Sequence, residues 1–137
     1  MISKNFLILS FSLVISINVR SQTKDVLAGK SFGIKVVECN SNGSVDQMPK
    51  DVIQFLAGRI TTGFGNRNSF PKAVYSVTVD SLSKPTVISF SGECMKTDGQ
   101  TLTWSGTVVG DKIEGKAHRD RNGKSSCNYE FSGILKK

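Results

Sequence analysis

The sequence predicts an all-β protein, an eight-stranded antiparallel up-and-down β-barrel, on three observations. Past Gln22, short apolar–polar alternations recur, with no sustained helical apolar period. Turn signals built from Gly, Asn, Asp and Pro separate them. Finally, a triplet of large apolar residue, polar residue and glycine occurs as Phe90-Ser91-Gly92, Trp104-Ser105-Gly106, Ile113-Glu114-Gly115 and Phe131-Ser132-Gly133. Strand periodicity puts the large residue and the glycine of each triplet on the same face. Glycine inside a strand sacrifices packing and backbone entropy. Its recurrence at one offset predicts a strongly bent sheet that closes on itself, with glycines where bulky side chains would collide.

The first elements are not part of that fold. After Lys4 comes an apolar run, Phe6 to Val19, diluted by Ser10, Ser12, Ser16 and Asn18. It is shorter than the roughly 20 residues a bilayer-spanning helix needs. It ends at Val19-Arg20-Ser21, which fits a secretory signal peptide cleaved before Gln22. The expected division is a signal peptide at 1–21 and one barrel domain at 22–137. The expected address is exported, periplasmic or extracellular, and soluble after cleavage, since no cysteine near the cut offers a lipid attachment point. A chain of 137 residues so divided holds one core and excludes a multidomain enzyme, a coiled coil and a polytopic membrane protein.

The strands follow in order. Phe32, Ile34 and Val36 alternate with Gly33 and Lys35, and Ser41-Asn42-Gly43-Ser44 ends that run. Val52 to Phe55 and Ile60 to Thr62 flank Ala57-Gly58 as a hairpin. The competing reading there is a short helix from Pro49, with Val52, Ile53 and Leu56 on one face. Val74 to Val79 places Tyr75, Val77 and Val79 opposite Val74, Ser76 and Thr78. Thr86 to Gly92 comes after Lys84-Pro85, and Leu102 to Val109 after Asp98-Gly99. Gly110-Asp111 turns into Lys112 to Ala117, and Arg121-Asn122-Gly123-Lys124 turns into Cys127 to Leu135. Helix is expected only in short pieces, near the N-terminus or around residue 50.

These residues resemble a group of small exported bacterial lipocalin-like proteins, calycin-type β-barrels. The likeness runs from Leu27-Ala28-Gly29-Lys30-Ser31-Phe32 through Asp51 to Phe55, Gly58-Arg59-Ile60 and Phe90-Ser91-Gly92-Glu93-Cys94. It is strongest over Leu102 to Gly115 and Tyr129 to Leu135. Larger lipocalins carry a glycine and then a tryptophan in the first strand, whereas here Gly29 is followed by Phe32. The resemblance implies a barrel with one open mouth able to hold a small apolar molecule.

Within such a meander the three cysteines share one rim, Cys39 and Cys94 at strand ends and Cys127 at a strand start. An odd count in an exported chain predicts one disulfide and one spare thiol. Cys94 shares a face with Ile88 and Phe90, and Cys127 with Tyr129 and Phe131, which favours Cys94–Cys127. Cys39 shares a face with Lys35, yet closure would make its strand the neighbour of the last, which favours Cys39–Cys127. The expected bridge is Cys94–Cys127, with Cys39–Cys127 as the alternative; either pairing needs Cα atoms within roughly 7 Å. No metal site is expected, because no two cysteines are close in sequence and His118 is the only histidine.

No catalytic set and no cofactor motif assembles, so the chain is not expected to be an enzyme. His118 falls in the polar run Lys116 to Lys124 and reads as a solvated loop residue. No serine sits in a nucleophile elbow. Asp80, Glu93, Asp98 and Glu114 include strand carboxylates that alternate with apolar residues and so face water. Gly63-Phe64-Gly65 lacks the strand-to-helix context of a phosphate loop. Loss of Lys4 and Arg20 lowers the formal charge from +7 to +5. Lys116, His118, Arg119, Arg121 and Lys124 crowd one hairpin. Because the aromatics fall on the inner face, this basicity reads first as a solvated, solubilising surface, with contact to an acidic envelope component as the alternative, and not as a nucleic-acid site.

The expected interior comprises Phe32, Ile34, Ile53, Phe55, Tyr75, Val77, Ile88, Phe90, Leu102, Trp104, Tyr129 and Phe131. An eight-stranded barrel is just wide enough to be filled by its own side chains or to hold one small ligand. The favoured function is non-catalytic binding of a small apolar or amphipathic molecule by a monomer. Tyr75, Phe90, Trp104 and Phe131 supply apolar area, and Tyr129 its hydroxyl. The rival is an inhibitor-type or envelope interaction module that uses residues 116–124 as its contact surface.

Overall fold

A computed structural model describes residues 25–137; the segment read as a signal peptide lies outside them. The strands are β1 (Ser31–Cys39), β2 (Val45–Gln47), β3 (Asp51–Leu56), β4 (Arg59–Thr62), β5 (Ala73–Asp80), β6 (Val87–Met95), β7 (Thr101–Val109), β8 (Lys112–Asp120) and β9 (Cys127–Leu135). One short helix, α1 (Gly63–Arg67), separates β4 from β5. All pairings are antiparallel, and β1 bonds to β9 from Phe32↔Leu135 to Cys39↔Asn128. That seam closes β1 and β3 to β9 into an eight-stranded barrel, as predicted. The short β2 lies outside the ring, on the half of β1 that extends beyond β3.

The hairpin reading of residues 51–62 holds, and the competing helix at Pro49 does not form. Ala57 and Gly58 both have positive φ, the geometry of a tight two-residue turn between Leu56 and Arg59. Inward parity follows the sequence: of the expected interior, Phe32, Ile34, Ile53, Phe55, Phe90, Leu102, Trp104, Tyr129 and Phe131 are buried, while Tyr75, Val77 and Ile88 are only partly buried against that core.

Register explains the repeated triplets. Phe90 lies opposite Gly106, Trp104 opposite Gly92, Phe131 opposite Gly115 and Ile113 opposite Gly133. Each large side chain therefore has a neighbouring-strand glycine beside it. A Cβ at Gly106 would come within 2.8 Å of the Phe90 ring, and one at Gly115 within 2.6 Å of the Phe131 ring. Both would also overlap a carbonyl oxygen of the adjacent strand, that of Glu114 and of Ser105 respectively. The glycines let the walls curve inward beneath the aromatic rings.

Both ends are covered. At one, the turn after Asp25 packs Leu27 against the core with no exposed surface, and Gly29 N–H donates to the Phe55 carbonyl at 2.7 Å. At the other sits α1. A helix of this length has no independent stability, and here side chains satisfy its N-terminal donors. Thr62 Oγ1 accepts from Gly65 N–H at 2.9 Å, while Asp51 accepts from Gly63 and Phe64 N–H, each at 2.9 Å.

Candidate functional site

The five aromatic residues expected to line a ligand cavity are all inward, and three of them pack together. Phe90 lies 5.0 Å from Phe55 and 6.5 Å from Phe131, while Trp104 meets Phe131 edge to face at 5.6 Å. Phe55 also contacts Phe32 and Tyr75 at right angles. Rings at these spacings interlock, so the middle of the barrel is core. A small cavity beside Cys94, Leu102 and Trp104 measures only about 10 Å³, too small to hold more than one water.

Tyr75 and Tyr129 stand near opposite ends. Tyr75 donates its hydroxyl to Asp25 Oδ2 at 2.5 Å. Burial, and then that carboxylate, raise its pKa well above the ordinary phenol value. Tyr129 packs under α1, with its ring 5.0 Å from that of Phe64. Burial pushes its pKa up to about 12; Cys127 and Glu38 add to the rise, and Arg119 opposes it.

Residues 116–124 belong to a hairpin, as expected, but the structure corrects the reading of His118 as a loop residue. β8 runs through to Asp120, so His118 and Arg119 are strand residues. His118 faces outward, and its Nδ1 lies 2.7 Å from Asn128 Oδ1. Arg119 points inward and is 8% exposed. Its Nε and Nη2 donate to Gln100 Oε1 at 3.2 and 3.0 Å, and its Nη1 to Asn68 Oδ1 at 3.1 Å. The guanidinium also lies 5.3 Å from the centre of the Phe70 ring. Arg119 therefore fastens the segment after α1 to the barrel and is not available as a contact surface. Lys116, Arg121 and Lys124 remain exposed.

The expected disulfide is also corrected. Cys39, Cys94 and Cys127 are free thiols, although they share a rim as anticipated. Cys94 pairs with Leu102, Leu102 with Arg119 and Arg119 with Cys127. Three strand spacings, roughly 14 Å along the wall, separate Cys94 from Cys127, about twice the reach of a bridge. Cys39 is closer to Cys127, but it pairs with Asn128 and so faces the opposite side of the sheet. Burial raises the Cys94 pKa, and the charge of Glu93 adds to the effect.

A large concavity lies on the outer wall. It is a groove of about 910 Å³ crossing β3, β1, β9, β8 and β7. One outward row of its floor runs Val52, Gly33, Ile134, Lys112 and Val109 by strand register. Gly33 adds no side chain to this floor, and nothing lies within 4 Å of where its Cβ would be. Ile134 is 63% exposed. Lys35, Lys50 and Lys136 stand around this floor and Lys112 within it, with Asp51 and Glu114 as the acids. The reading from sequence missed this site by treating outward positions as solubilising surface. Parity alone marks Val52, Val109 and Ile134 as apolar residues on the polar face.

Among the described residues no helix is long and apolar enough to cross a membrane. No protein-family model, curated protein or solved structure matches the chain.

Proposed function

We propose that the chain is a non-catalytic, exported, lipocalin-like binding protein for a small apolar or amphipathic molecule, held on the outer wall of the barrel. The groove over Gly33 carries this reading. Its volume of about 910 Å³ lies within the roughly 300–1,000 Å³ of small-molecule sites, and its floor is apolar. The lumen, by contrast, is occupied by interlocked rings. Export rests on the apolar run from Phe6 to Val19 and the small residue at Ser21.

Titration with a neutral hydrophobic dye such as Nile red tests the site. Dye fluorescence should rise on binding while Trp104 emission stays constant, because Trp104 is buried in the lumen. Gly33→Leu fills the depression without meeting a neighbour at Cβ, and should abolish binding while leaving the far-UV spectrum unchanged. Wild-type dye binding by Gly33→Leu, with a shift in Trp104 emission, would return the site to Tyr75, Phe90, Trp104, Tyr129 and Phe131. No dye response at all would sink the binding reading.

A further inference from the structure

We infer that the ligand of the outer groove is an anionic amphiphile with one alkyl chain, a fatty-acid-like molecule whose acid group is held by lysines. This rests on the binding reading above and adds the charge and shape of the ligand. The apolar row from Val52 to Val109 crosses five neighbouring strands in register. At about 4.8 Å per strand spacing it extends roughly 19 Å along the wall. It is one residue wide, since the next row, Lys35, Ser132, Glu114 and Thr107, is polar. A long, narrow apolar track fits a single extended chain and not a compact ring system. Lys112 lies within the track, where its methylene stem continues the apolar floor and its ammonium can rise to the edge.

The charges around the track do not balance. Lys35, Lys50, Lys112 and Lys136 face two acids, a formal excess of two positive charges; the Asp51 carboxylate keeps its charge while it accepts from Gly63 and Phe64 N–H of α1. Glu114 is the other carboxylate. The one ion pair among the described residues is Lys137 with Asp111, so none of the four lysines is neutralised by a bridge. Like charges gathered along a concave surface raise the local concentration of anions. Each exposed lysine contributes little alone, so the preference should be a sum over several and sensitive to salt.

Calorimetric titration of the protein with decanoate, decanol and decyltrimethylammonium, each below its micelle-forming concentration, separates the outcomes. Decanoate should bind about tenfold more tightly than decanol, with the cationic amphiphile weakest. The preference should shrink between about 0.1 and 1 M salt, as the screening length falls from roughly 10 to roughly 3 Å. Lys50→Glu with Lys136→Glu, both outside the apolar row, should abolish the preference and leave decanol binding in place; Lys50→Gln with Lys136→Gln should reduce it and serves if the first pair misfolds. Equal binding of all three compounds would overturn the inference and leave the binding reading standing. Absence of any binding would overturn both. Binding to phosphatidylglycerol vesicles without binding to decanoate would assign the lysines to a membrane surface and overturn the inference as well.

Discussion

At the scale of single residues, two glycines on one seam have opposite roles. Gly133 faces inward, where a Cβ would overlap the carbonyl oxygen of Gly33 on β1. Backbone cannot swing aside as a side-chain tip can, so Gly133→Ala should cost about 1–3 kcal/mol in urea unfolding. Gly33 faces outward into open space with ordinary strand geometry, and Gly33→Ala should change stability by no more than about 0.5 kcal/mol. Equal effects would contradict the close approach of β1 and β9. The two tyrosines make a second residue-level test. Both pKa values are raised, that of Tyr129 to about 12. The fold therefore holds phenol protons that the unfolded chain releases near pH 10. That stabilisation is complete below pH 10 and is lost as pH climbs through the folded values. Native phenolate absorbance should stay flat near pH 10 and rise only above it, accompanied by falling stability. A tyrosine titrating normally in an intact barrel would show that its burial is wrong.

Elements differ in how far they could be read from the chain. Strands with apolar residues at every second position, such as Phe32 to Val36 and Leu102 to Val108, were legible because burial imposes that period locally. Three features were not. β2 consists of exposed residues with no alternation, and it forms because β1 outruns β3 and leaves donors and acceptors to be paired. The last residues of β8 looked like a basic loop, since an inward Arg119 breaks the apolar pattern. Its partners Asn68 and Gln100 are distant in sequence. α1 has two glycines in five residues and is held by Asp51, twelve and thirteen positions earlier. Asp51 also accepts from Val52 N–H at 2.7 Å. Asp51→Ala should therefore lower stability by about 1–2 kcal/mol in thermal melts, with Asp51→Asn intermediate because only one oxygen can still accept. An unchanged melting temperature would mean that α1 does not depend on this cap.

For the whole molecule, the decisive contact is also the most distant in sequence. β1 and β9 share eight paired positions, and without them two long edges would be open to other chains. Such closure must wait until the ends of the domain meet, which slows folding, since the logarithm of the folding rate falls as contact order rises. Lys136 N–H donates to the Ser31 carbonyl at 2.8 Å, so the chain leaving β9 already lies beside the start of β1. A circular permutant can exploit this. Joining Lys137 to Asp25 through a short flexible linker, and opening the exposed turn between Gly123 and Lys124, would place β9 before β1 in sequence. The closing seam then becomes a local connection, while β8 and β9 exchange their turn for a long-range pairing. Because β1–β9 and β8–β9 pair over the same number of positions, the permutant should reach the same barrel with nearly unchanged equilibrium stability. Its Trp104 environment should also be native. The β1–β9 seam should form early and the β8–β9 seam last, reversing the order in the parent, as pulsed hydrogen exchange on Val37 and Glu130 against Ala117 and Tyr129 would reveal. A permutant that aggregates, or one folding only as a dimer, would show that the ring depends on the original β8–β9 turn rather than on closure itself.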